Sequence, residues 1–211
     1  KQALYEDQPV ASLPEVPLTF EKEGFKTSSQ VQYAACAGDF RKAGFTYTGA
    51  LLVLKMIFSY EYLWTNIRVK GGAYGCACTF GTFGIGYFTS YRDPNLKNTY
   101  EVYKKAAEFV EQFDVDERTM TKYIIGAISS LDMPLTPSAY ASQSFAAYLS
   151  GLTTEQKQKE RDEVLGTNVE KIRELAPIVK AVYDTGAFAA LGNTEKITQQ
   201  AELFDKVVTL V

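Results

Sequence analysis

Alternation marks the first readable element of the chain. Within residues 30–37, Val31, Tyr33 and Ala35 share one face of an extended segment that Gly38-Asp39 ends, which predicts a strand. From Thr48 to Asn66 the spacing becomes helical. Leu51, Leu54, Phe58 and Tyr62 form one apolar stripe, and Leu52, Met56, Tyr60, Leu63 and Ile67 form a second. Two stripes predict a helix buried on more than one side, between a sheet and another layer. Residues 76–80 and 85–91 read as strands joined by Gly81-Thr82-Phe83-Gly84, a hairpin. Asp93-Pro94 then supplies a cap and a first-turn proline. The helix that follows carries Leu96, Tyr100, Tyr103, Ala107, Val110 and Phe113 on a single face.

The second half reads mainly as helices. Asp116 caps one that Pro134 stops, and Thr136-Pro137 opens another that Gly151 ends. Thr153 with Gln156, and Thr167 with Glu170, have capping-box spacing. The charged helix between them, roughly 154–165, reads as a solvated face. A further helix is expected over 167–183, a strand over 187–191, a helical turn over 194–201 and a last strand over 207–210. Residues 1–25, with Pro9, Pro14 and Pro17, read as an extended linker-like segment, which leaves 26–211 as one domain. Hairpin pairing with clustered helices predicts an α+β fold: a mainly antiparallel sheet covered on one side by helices.

Composition changes the picture chiefly by what it lacks. A chain of 211 residues, 46% hydrophobic and 22% charged, can bury a real core. Its net charge of −3 argues against a nucleic-acid partner. It contains no histidine. That removes Ser-His-Asp and Cys-His catalysis and every zinc site built on imidazole. A base or metal for hydrolysis would have to come from elsewhere. Cys36, Cys76 and Cys78 are too few for a disulfide framework and read as buried thiols, which favours a cytoplasmic setting. No apolar run reaches the roughly 18 residues of a membrane span, so no membrane is implied. The chain starts at Lys1 without a signal-peptide pattern, and is expected to be processed or cut from something longer.

The strongest candidate for chemistry is Ile67-Arg68-Val69-Lys70-Gly71-Gly72-Ala73-Tyr74-Gly75, where a buried helix gives way to a glycine loop and then a strand. Gly71 and Gly72 allow close backbone approach and positive φ. Arg68 can hold a carbonyl or carboxylate through its planar fork. Tyr74 can donate to a developing oxyanion. The alternative is a structural turn with a solvated Arg and a packed Tyr. A phosphate loop is excluded, because the glycines lack G-x-G-x-x-G order and no Gly-Lys-Ser or Gly-Lys-Thr is present.

The run from Arg68 to Gly75 resembles the Arg-x-x-Gly-Gly-Ala-Tyr-Gly motif of the presequence protease branch of the pitrilysin/insulinase family of zinc peptidases. Ser90-Tyr91-Arg92-Asp93-Pro94-Asn95 is similar to that branch's strand-to-helix junction. Asp132-Met133-Pro134-Leu135-Thr136-Pro137-Ser138 resembles its break between helices, and Tyr148-Leu149-Ser150-Gly151-Leu152 with Lys157-Gln158 matches a further stretch. The resemblance implies a C-terminal domain of a four-domain clamshell. Zinc is then expected on an H-x-x-E-H motif in the N-terminal half of the protein, and none in this chain. It implies that Arg68, Tyr74, Gly71 and Gly72 contact a peptide substrate, with Tyr74 donating a hydrogen bond to the tetrahedral intermediate. The expected partners are the other domains of the peptidase and peptide substrates, and the chain alone is expected to be inactive. A non-catalytic structural or peptide-binding subunit of the same fold is the alternative. Separation from the other domains is expected to expose apolar surface, with the helix at 48–66 as the suspected face.

Overall fold

The computed structural model describes residues 21–210. Six strands form one sheet: β1 (Lys22–Thr27), β2 (Gln32–Asp39), β3 (Gly75–Phe80), β4 (Ile85–Asp93), β5 (Ala187–Asn193) and β6 (Lys206–Thr209). Their order is β3-β4-β2-β5-β1-β6. The pairs β3/β4, β4/β2 and β2/β5 are antiparallel, whereas β1 runs parallel to both β5 and β6. The sheet is therefore mixed, with an antiparallel half and a parallel end. The parallel end was not legible because β1 comes from the tail of the stretch read as linker. Phe25 opposite Leu191 and Gly24 opposite Ala190 set its register. The rest of that linker assignment lies outside the described residues.

The helices are α1 (Ala50–Ile57), α2 (Lys97–Lys104), α3 (Ala106–Glu111), α4 (Glu117–Leu131), α5 (Pro137–Ser150), α6 (Thr154–Leu165), α7 (Val169–Arg173), α8 (Ala176–Asp184) and α9 (Thr194–Gln199). Those that touch the sheet lie on one face of it, as expected. Gly38 and Gly86 make room for α8: a Cβ at Gly38 would come 2.1 Å from the Val182 carbonyl oxygen, and one at Gly86 would come 2.5 Å from Val182 Cγ2. Phe58, Phe80, Phe88 and Tyr103 fill the space above the antiparallel half with ring-to-ring contacts.

Several boundaries move. The helix predicted over 96–113 breaks at Lys105, and the one over 167–183 breaks between α7 and α8. Asp116, Thr136 and Thr153 cap as expected, with Gln156 completing the last box. At α7, however, the cap is Asn168, whose side chain accepts the Lys171 N–H at 2.9 Å. Thr167 instead donates back to the Glu163 carbonyl at 2.7 Å. Helix α6 is not purely solvated. Glu163 Oε2 accepts from the Gly49 N–H at 2.6 Å and from Thr48 Oγ1 at 3.0 Å, and the Tyr47 hydroxyl donates to Glu160 at 2.6 Å.

The apolar stripes of the long helix are largely spent inside the domain. Leu51, Leu54, Ile57, Leu63 and Ile67 are all buried. Tyr60 and Trp64 remain 63% and 42% exposed, and a larger exposed apolar face lies on α5, where Phe145, Tyr148 and Leu149 are 63%, 82% and 68% exposed. The expectation placed on residues 48–66 is thus narrowed to Tyr60 and Trp64. The reason is that α4 packs against α1 and covers the stripe that faces away from the sheet.

Candidate functional site

Helix α1 does not end at Ile57. It continues as π-helical turns over Phe58–Tyr62 and Trp64–Val69. The wider turn carries the chain to the edge of the sheet, and Lys70 N–H still reaches back five residues to the Thr65 carbonyl at 2.9 Å. Termination follows at once. Gly72, at φ +78°, donates to the Arg68 carbonyl at 2.9 Å, and Ala73 donates to the Ile67 carbonyl at 3.1 Å. Gly71 is needed for a different reason: a Cβ there would sit 2.4 Å from the Ile67 carbonyl oxygen.

The strand-to-helix junction after β4 clamps this loop from below. Tyr74 N–H is shared between the carbonyls of Tyr91 (3.1 Å) and Arg92 (3.3 Å). Arg92 itself adopts φ +49°. Asn95 donates its side-chain amide to the Gly71 carbonyl at 2.6 Å. Buried Asp93 accepts from the Asn95 N–H at 2.8 Å and from the Thr99 hydroxyl at 2.6 Å. The Ser90–Asn95 segment is thus the physical support of the Arg68–Gly75 loop.

The two candidate side chains come together. The Arg68 guanidinium carbon lies 4.1 Å from the centroid of the Trp64 ring and 5.8 Å from that of Tyr74. Tyr74 is 64% exposed and meets Tyr91 edge-on at 5.8 Å; Tyr91 in turn meets Tyr33 at 5.3 Å. Among the described residues the Tyr74 hydroxyl has no hydrogen-bond partner. An aromatic-backed cation and an exposed phenol on one rim can receive main-chain oxygens of a ligand. Trp64, Tyr91 and Asn95 escaped sequence reasoning as parts of the site. The signal for Trp64 was its i, i+4 spacing to Arg68.

The residues here do not fit a zinc site. Imidazole is absent from the sequence, and no group of three or more potential metal ligands occurs among the described residues. Burial pushes the thiols up, Cys36 and Cys78 to about 12 and Cys76 to about 11, so all three are held in the protonated form.

Comparison with known proteins fits this geometry. The family described as the PreP C-terminal domain matches residues 22–191. The chain belongs to that family. Protein HypA of Clostridium perfringens is 41% identical over 191 residues, 90% of this chain and 20% of that protein. Presequence protease 1, chloroplastic/mitochondrial, of Arabidopsis thaliana is 35% identical over 181 residues, 85% of this chain and 17% of that protein. The chain therefore spans a fifth or less of the length of these curated relatives. Among solved structures, a peptidase inactive domain from Pseudomonas fluorescens superposes with a TM-score of 0.59 at 17% identity, covering 86% of this chain and 46% of that one. Pitrilysin gives a TM-score of 0.56 at 12% identity, covering 81% of this chain and 20% of its own. At such identities these two likenesses speak for the fold of the PreP C-terminal domain. No helix of the described residues is long and apolar enough to cross a membrane.

Proposed function

We propose that this PreP C-terminal domain is the substrate-contacting part of a zinc-dependent oligopeptidase, inactive by itself. Its partners are the other domains of that peptidase and the peptide substrate. Zinc belongs to the N-terminal half of the longer protein. The observation that carries the proposal is the Arg68 guanidinium held between Trp64 and an exposed Tyr74. In this role Arg68 holds backbone oxygens of the bound peptide through its fork, and the loop at Gly71 and Gly72 lets the peptide approach closely. The Tyr74 phenol donates to the substrate oxygen as negative charge develops on it, so its effect falls on the transition state. The cytoplasmic setting read from the reduced thiols belongs to this proposal too. Two relatives carry names that place them in mitochondria or chloroplasts.

The test is Tyr74→Phe in the full-length protein. The expected result is a fall in kcat of about 10²–10³ with little change in KM. Peptide cleavage at the parental rate with an intact fold would overturn the role of Tyr74. A second reading, a non-catalytic structural or peptide-binding module, is favoured by the likeness to domains named inactive. It is distinguished by the absence of any cleavage in the full-length protein, whatever stands at position 74.

A further inference from the structure

Opposite Tyr33, strand β4 carries one residue too many. Gln32 pairs with Asp93 and Ala34 with Ser90, so a single residue of β2 faces two of β4, Tyr91 and Arg92. This is a β-bulge, a device that re-aims a side chain. Arg92 stands in it at φ +49°, and among the described residues no other non-glycine has positive φ. The backbone has a use for that turn, because it brings the Arg92 carbonyl to the Tyr74 N–H at 3.3 Å. Glycine would make the same turn without the clash of a Cβ. The hydrogen bond therefore accounts for the conformation but not for an arginine side chain.

That side chain joins the rim of Arg68 and Tyr74. Its guanidinium carbon lies 5.7 Å from the centroid of the Tyr91 ring, and Tyr91 meets Tyr74 edge-on at 5.8 Å. Trp64, Arg68, Tyr74, Tyr91 and Arg92 thus form one run of contacts with a cation toward each end. Arg92 and both tyrosines are exposed. Elsewhere Arg41, Arg161 and Arg173 each pair with an aspartate. Among the described residues no carboxylate pairs with Arg68 or Arg92. A guanidinium held over a ring keeps its in-plane donors for a ligand.

We infer that Arg92 is a specificity residue of this rim and takes a carboxylate of the bound peptide, from an acidic side chain or from the C-terminus. The inference rests on the reading of Arg68 and Tyr74 as substrate contacts and adds to it a choice among peptides. Every peptide offers backbone oxygens, so Arg68 alone does not discriminate. A second fork on the same rim favours the peptide that brings a full negative charge, because charge-assisted, bidentate hydrogen bonds are stronger than those to a neutral carbonyl. The two oxygens of a carboxylate match the fork, and the carboxylate is the anionic group that an unmodified peptide carries at neutral pH.

The test measures equilibrium binding to the full-length protein by fluorescence anisotropy, with a chelator present so that no peptide is consumed. The probes are fluorescein-labelled, amidated decapeptides of alanine and threonine in which one glutamate is moved along the chain, each with its glutamine partner. A free-acid version of the neutral peptide tests the terminal carboxylate. At one glutamate position, or at the C-terminus, the acid should bind about tenfold more tightly than its neutral partner. Arg92→Gly and Arg92→Gln should both bring that ratio to about one, while neutral peptides bind as before. The thermal midpoint of Arg92→Gly should equal or exceed the parental one, because glycine adopts this φ without strain. A ratio near one in the parental protein, a ratio that survives both substitutions, equal weakening of acidic and neutral peptides, or a lower midpoint in Arg92→Gly would overturn the inference. Absence of discrimination with the Tyr74→Phe effect on turnover intact would sink the role of Arg92 alone. Discrimination that depends on Arg92, with turnover indifferent to Tyr74, would sink the catalytic role of Tyr74 alone.

Discussion

Arg68 follows Trp64 by one helical turn and lays its guanidinium on that indole at 4.1 Å. The contact fixes a long, flexible side chain at the sheet edge while leaving its donors free. In the full-length protein, Arg68→Ala should raise KM for peptide more than it lowers kcat, because contacts to backbone oxygens exist in ground and transition states alike. Arg68→Lys should rescue poorly, since a point charge reproduces neither the fork nor the stack. Trp64→Leu should show a fainter version of the same effect, about two- to fivefold in KM. Steady-state kinetics on the three variants checks the order.

The neighbouring glycines should respond differently to alanine. Gly72→Ala forces an L-residue into φ +78°, with only an ordinary 3.5 Å contact to Pro94, at a cost of about 1–2 kcal/mol. Gly71→Ala drives a Cβ against the Ile67 carbonyl at 2.4 Å and should cost more than about 2 kcal/mol by shifting the helix end. Urea unfolding of both variants measures the difference, and equal values would count against this account of the loop.

Glu163 ties α6 to the start of α1 through Gly49 and Thr48. Glu163→Ala should destabilise the chain by about 1–3 kcal/mol, as it leaves two donors without their acceptor at a helix N-terminus. Lys159, paired with Glu163 at 3.8 Å on the surface, should tolerate alanine within about 0.5 kcal/mol. Thermal or urea unfolding of the two variants compares them directly.

Acid should weaken the fold through three hydrogen-bonded carboxylates. Hydrogen bonds from Arg41, Thr119 and Arg161 hold Asp39, Asp116 and Asp132 below their ordinary value of 3.8. The native chain then binds fewer protons than the unfolded chain in this range, so stability rises with pH there. Their contribution is complete above the unfolded value and is lost as pH falls through the lower folded values. Asp132→Asn, which removes the charge paired with Arg161, should flatten the decline in stability below about pH 4. Urea midpoints between pH 5 and pH 2 would reveal it.

Local rules made much of this protein legible. Period-two alternation located β2 and the β3–β4 hairpin. Thr136-Pro137, Thr153 with Gln156, and Gly151 located helix ends, because caps satisfy backbone groups within one turn of chain. The Arg68–Tyr74 segment was readable as a candidate site because its residue types and spacing are contiguous. The absence of histidine excluded whole classes of chemistry before any fold was known.

What tertiary structure alone decided depends on partners distant in the chain. Strand β1 looked like linker because its register is supplied by β5, more than 160 residues away. The outer stripe of α1 looked available until α4 covered it. The π-helical turns, the clamp of Asn95 on Gly71 and the place of Trp64 beside Arg68 arise where a helix end, a loop and a strand junction meet. Short-range hydrogen bonding writes caps and periods into consecutive residues. Sheet order, edge exposure and shared burial are free energies of assembled surfaces, and no stretch of consecutive residues contains them.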